Sequence, residues 1–242
     1  MIWFYLLLLF LLTAIGGAIP LFLKEFRASW MTMILAFSGS FLLSITFLHL
    51  LPEAFHDLGQ KAGLFILLGF LIQLVLQRLS HGVEHGHVHI SSDHHHSILP
   101  IFIGLSIHAF MEGIPLGFNY NSGATLPSIF LGVAAHKLPE AITLCSLLLL
   151  SGTKVNKWLI LVLFALMSPV SAMLAMYYGQ KFHFISNLLI YIIPLVIGSF
   201  LHISTTVLYE SGTQHHELSR QKVIAVLLGV GFAMCTLLFH TH

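Results

Sequence analysis

Charge is scarce in this chain. Of its 242 residues only 8% are Asp, Glu, Lys or Arg, where a soluble domain carries about 25%. So few charges cannot keep a folded surface in water, which excludes a soluble globular protein. The ten basic and nine acidic side chains leave a formal charge of +1, so no basic face for nucleic acid is implied. Two cysteines occur, Cys145 and Cys235, both inside long apolar runs, and a disulfide framework is excluded. The start of the chain lacks a basic stretch, and its first apolar run is too long for the core of a secretory leader. It is therefore read as a retained helix. What is plentiful is apolar side chain, 57% of residues with a mean hydropathy of +0.93. Histidine is plentiful too, at 17 residues.

A bilayer core about 30 Å thick needs roughly 20 apolar residues per helix. Eight such runs are present, near 1–23, 31–51, 62–79, 98–120, 125–150, 158–178, 185–209 and 221–240. Clusters such as His56-Asp57-Leu58-Gly59 and Ser151-Gly152-Thr153-Lys154 separate them. The runs are about twice the roughly 10 residues a membrane strand needs and show no alternation. The expected fold is an all-α membrane protein, one polytopic domain over residues 1–242. Cations orient it: Lys24, Arg27, Arg78, Lys154, Lys157, Arg220 and Lys222 fall in alternate connections beginning with the first. The other set holds only Lys61 and Lys181. Basic connections stay in the cytoplasm, so both termini are expected outside.

Ionisable side chains at the centre of a membrane helix cost about 2.5–3.5 kcal/mol each on insertion scales, and so mark function. Most lie in two spans. The fourth reads His108-Ala109-Phe110-Met111-Glu112-Gly113-Ile114-Pro115 and the fifth His136-Lys137-Leu138-Pro139-Glu140-Ala141. In each, His and Glu stand at i and i+4, on one helix face. Two such faces opposed offer two imidazoles and two carboxylates to zinc or a similar divalent ion. Pro115 and Pro139 each remove a helix hydrogen bond, freeing a carbonyl at membrane depth. Gly113 and Gly117 would let another helix come close.

These two segments, HAFMEGIPLGFN and HKLPEA, resemble the signature helices four and five of the ZIP (Zrt/Irt-like) divalent-metal transporters. HLLPEAF at 49–55, GFLIQLVLQRL at 69–79 and GSFLHISTTVLYES at 198–211 extend the resemblance along the whole chain. The resemblance implies a 3+2+3 bundle of eight helices with inverted repeats, and frequently a homodimer. It also implies a metal site between helices four and five with His108, Glu112, His136 and Glu140 as ligands. Some relatives bind two ions side by side. Here the positions that would hold the second ion are Ala109 and Lys137, so a single-ion site is expected, with the Lys137 ammonium standing in for the second charge. Many relatives carry Glu where this chain has Ser168 before Pro169, which leaves the set without a third carboxylate.

Residues 80–97, SHGVEHGHVHISSDHHHS, hold seven histidines between spans three and four, on the expected cytoplasmic side. Such a composition cannot form a packed core. It is either a loose metal acceptor, through His85, His87, His89, His94, His95 and His96, or a solvated linker. Accessory pathway candidates are His49, Glu53, Lys137, His202 and Glu210. The expected function is movement of a divalent metal ion, zinc first, into the cytoplasm by alternating access. The substrate is the ion itself, and no cofactor and no enzymatic activity are expected. Two alternatives stay open on the same residues. One is a metal-sensing or proton-conducting channel; the other is an intramembrane zinc hydrolase, which lacks a His-Glu-x-x-His motif and an open coordination position. The expected location is a cell membrane, as a multi-pass protein, and a bacterial plasma membrane in particular.

Overall fold

The computed structural model describes residues 2–23, 28–80, 98–118, 126–151, 153–210 and 219–238. Among these residues there is no strand. Eight helices follow one another: α1 (Ile2–Leu23), α2 (28–58), α3 (Lys61–Ser80), α4 (Ile98–Phe118), α5 (Leu126–Leu150), α6 (Lys157–Lys181), α7 (His183–Glu210) and α8 (Arg220–Leu238). Each is long and apolar enough to cross a membrane. Their outer faces carry large apolar side chains, such as Phe22, Val75, Phe184 and Leu227. Water would not tolerate that surface on every side, and lipid does.

The boundaries fall close to those expected, with one difference. The second helix does not stop near residue 51. α2 runs Ala28–Ile45, passes through a π turn at Thr46–Leu50, and continues as Leu51–Leu58. Pro52 cannot donate a backbone hydrogen bond, and the wider π turn just before it absorbs the change of register. Gly59, at φ 55°, then ends the helix, its N–H reaching Phe55 O at 2.9 Å. A left-handed residue at that point suits glycine alone among common choices. At the start of α6 the Asn156 side chain accepts from the N–H groups of Trp158 and Leu159 at 3.1 and 3.2 Å. Replacing a cap of this kind costs about 1 kcal/mol, so Asn156→Ala is expected to lower the melting temperature in detergent slightly.

Between helices in lipid there is no hydrophobic drive, so close packing of small residues decides which pairs form. The main pairs are α1 with α5, α2 with α8, α3 with α7 and α4 with α6; α1 also packs on α6, and α2 on α5 and α7. On α3 and α7 the approach is backbone to backbone. A Cβ on Gly69 would strike the Leu195 carbonyl, and one on Gly198 would strike the Ile66 carbonyl. Polar side chains add to this seam. Ser199 Oγ donates to Gln73 Oε1 at 2.9 Å, and His202 Nε2 lies 2.7 Å from Gln77 Oε1. The cross-helix bonds need a partner because nothing in hydrocarbon would replace it.

Candidate metal centre

α4 and α5 carry the ionisable side chains into the middle of the bundle. The helices run unbroken through Pro115 and Pro139, so each proline removes a hydrogen bond without ending its helix. Tight lateral packing holds α4 in place. Its Gly113 and Gly117 face α6, where an added Cβ would meet the backbone carbonyls of Ser168 and Ala172. Ser168 Oγ also donates to Ala109 O at 2.7 Å, fixing the turn that bears His108. Ser168 thus ties two helices together.

The i, i+4 spacing sets both His–Glu pairs on inward faces. His108, Glu112, His136, Lys137 and Glu140 are each at most 1% exposed. One donor atom from each of His108, His136 and Glu140 lies within 4.8 Å of the others. The two imidazoles meet edge to face, with centroids 5.8 Å apart. A dication bound tetrahedrally at about 2.0–2.1 Å wants its donors roughly 3.4 Å apart, so a modest contraction would close this triple around one ion.

Glu112 stands beside the triple. Its Oε1 is 2.9 Å from His108 Nε2, and its Oε2 is in contact with Lys137 Nζ. Lys137 Nζ also lies 2.5 Å from Glu140 Oε2 and 5.3 Å from the centre of the Phe164 ring. One ammonium therefore bridges both carboxylates over an aromatic face. Both His136 nitrogens and Glu140 Oε1 are sealed from solvent with no hydrogen-bond partner among the described residues. Uncompensated buried polar atoms are costly, and both side chains that carry them contribute a donor to the triple. A neutral imidazole, a carboxylate oxygen and a second imidazole together form a donor set that a borderline dication satisfies.

Of the accessory candidates, Lys137 belongs to this cluster, and the others are not among its members. His49, inside the π turn of α2, has its Nε2 2.8 Å from Thr236 Oγ1 on α8. Glu53 is half-buried one turn further on. His202 belongs to the α3–α7 seam, and its ring stands nearly perpendicular to that of Phe70, with centroids 4.8 Å apart. Glu210 closes α7, and its side chain lies outside the described residues, as do His85, His87, His89, His94, His95 and His96. Sequence reasoning missed the partners: Phe164 and Ser168, four apart on the face of α6 toward α4 and α5, and Gln77 and Thr236 opposite the two accessory histidines. The small residues facing Gly113 and Gly117 were the available signal for α6.

A family model described as ZIP Zinc transporter matches residues 1–101 and 96–237 of the chain. No curated protein matches it.

Proposed function

The chain belongs to the ZIP zinc transporter family, and from that premise we propose that it carries zinc, or a closely related dication, into the cytoplasm by alternating access. The family's members are multi-pass membrane transporters of divalent metal ions and not enzymes. The observation that carries the finer reading is the convergence of His108, His136 and Glu140 donors within 4.8 Å in a sealed interior. We take these three, with Glu112, as the transport site, a single-ion site in which the Lys137 ammonium occupies the ground of a second ion. An arriving dication displaces Lys137 from Glu140, gains two imidazoles and that carboxylate, and leaves Lys137 paired with Glu112.

The 3+2+3 inverted repeat is part of the proposal, and the packing supports it. Exchanging α1 with α6, α2 with α7, α3 with α8 and α4 with α5 turns the α1–α5 pair into α4–α6 and the α3–α7 pair into α2–α8. The cation count supports termini outside and residues 80–97 in the cytoplasm, where clustered histidines would take up the released ion. We place His49, Glu53, His202 and Glu210 along the route as secondary groups, in a single domain over residues 1–242 of a cell membrane. The implied homodimer would double the mass seen by light scattering in detergent.

The test is uptake into sealed proteoliposomes holding a zinc-sensitive dye. Saturable zinc entry is expected, with cadmium competing and magnesium not, because the mixed nitrogen and oxygen donors suit borderline ions. Entry that never saturates, or proton current without metal, would move the reading to a channel. His202→Ala is expected to lower uptake by less than about tenfold, in keeping with hydrogen bonds between membrane helices worth about 0.6 kcal/mol on average.

A further inference from the structure

Lys137 does more than fill space. It is fully buried, touches Glu112 Oε2, sits 2.5 Å from Glu140 Oε2 and lies over Phe164. Ala109, the neighbour of His108, offers no polar atom on its side chain, and Ser168 spends its hydroxyl on the Ala109 carbonyl. No other lysine and no arginine among the described residues pairs with these two carboxylates; the remaining partner is the His108 imidazole, 2.9 Å from Glu112 Oε1.

A carrier that alternates must pass through a closed state twice per cycle, once loaded and once empty. Closing a dry site around net charge costs Born energy, which rises with the square of that charge. With both imidazoles neutral, as metal binding requires, two carboxylates and one ammonium leave the empty site at net −1, and a bound dication takes it to +1. Without the ammonium the loaded site would be neutral and the empty one −2. The loaded leg would then be easy, and the empty leg about four times as costly in Born terms as either leg with Lys137 present.

We propose that Lys137 is a tethered counter-cation that makes the empty carrier able to return, so that net transport turns over without a second bound ion. The inference rests on the transport site proposed above and concerns only the return leg. Lys137 acts through Glu112 and Glu140 and is a positioning residue, not a ligand.

Two modes of zinc movement in proteoliposomes separate the legs, both at one pH on each side of the membrane. Net uptake into zinc-free vesicles requires the empty return. Entry of labelled zinc into vesicles preloaded with unlabelled zinc requires only the loaded leg. In Lys137→Met and Lys137→Gln the ratio of net uptake to exchange is expected to fall by about tenfold or more, while Lys137→Arg keeps it within about threefold. An unchanged ratio in the Met and Gln variants would overturn the proposal. So would equal loss of both modes in all three variants, since that is a packing defect. Failure of the transport reading looks different: the unaltered protein would move zinc in neither mode, or Glu140→Ala would move it normally.

Discussion

Alanine at Glu140 is expected to lower zinc flux in proteoliposomes by at least about a hundredfold, beyond the 10–100-fold that loss of an outer partner of a metal ligand brings. Glu140 is the only carboxylate in the triple with His108 and His136, and it also holds one side of Lys137. Removing it takes away a donor and leaves the ammonium nearer the two imidazoles. Glu112→Ala is expected to fail by another route. Glu112 lies outside the triple, and its loss leaves Lys137 with a single partner, so a dication must approach a site already at net zero charge. Removing the ammonium as well should then help. The Glu112→Ala, Lys137→Met double variant is expected to recover about tenfold over Glu112→Ala alone, a coupling of about 1.4 kcal/mol between neighbours. The Glu140→Ala, Lys137→Met pair is expected to recover nothing, because a donor has gone. Scintillation counting of labelled zinc on matched amounts of monodisperse protein checks all four. Equal rescue in both doubles would show that charge alone governs the site.

Much of this arrangement was legible in the chain before any coordinates. The eight apolar runs show as eight helices because length and hydropathy are properties of one segment at a time. The inward face of α4 and α5 follows from the i, i+4 spacing of His108 with Glu112 and His136 with Glu140, again a local property. What spacing cannot give is the partner across a helix crossing. That Lys137 reaches both carboxylates depends on how α4 and α5 lie relative to each other. That Ser168 bonds the Ala109 carbonyl depends on the depth to which α6 sinks against Gly113 and Gly117. His49 and His202 read as path-lining candidates, and each has a hydroxyl or amide partner on a neighbouring helix, Thr236 and Gln77. The continuation of α2 past Pro52 was hidden for a related reason. Proline signals a missing donor, and whether the chain turns or widens into a π turn depends on what packs beside it.

The α4–α6 seam should be the point at which stability and transport fail together. A side chain on Gly117 would meet the Ala172 carbonyl, and one on Gly113 the Ser168 carbonyl. Backbone cannot swing aside as a side chain can, so Gly117→Leu belongs at the upper end of the roughly 1–3 kcal/mol that overpacking costs, or above it. The helices must separate to accept it. That lengthens the Ser168–Ala109 bond, and the turn bearing His108 then moves away from His136 and Glu140. Gly231 is the control, because nothing lies within 4 Å of a Cβ placed there. Gly231→Leu exchanges a poor helix former for a good one, worth about 0.8–1.0 kcal/mol in a helix interior, and is expected to hold or raise the melting temperature while keeping flux. Gly117→Leu is expected to lower the melting temperature clearly and to abolish zinc uptake. Gly117→Ala should fall between the two, since its single methyl group also meets the Ala172 carbonyl. Thermal unfolding followed by tryptophan fluorescence in detergent, with flux measured on the same preparations, orders the three. Should Gly117→Leu melt with Gly231→Leu and carry zinc normally, close approach of α4 to α6 would not be what sets His108 in place.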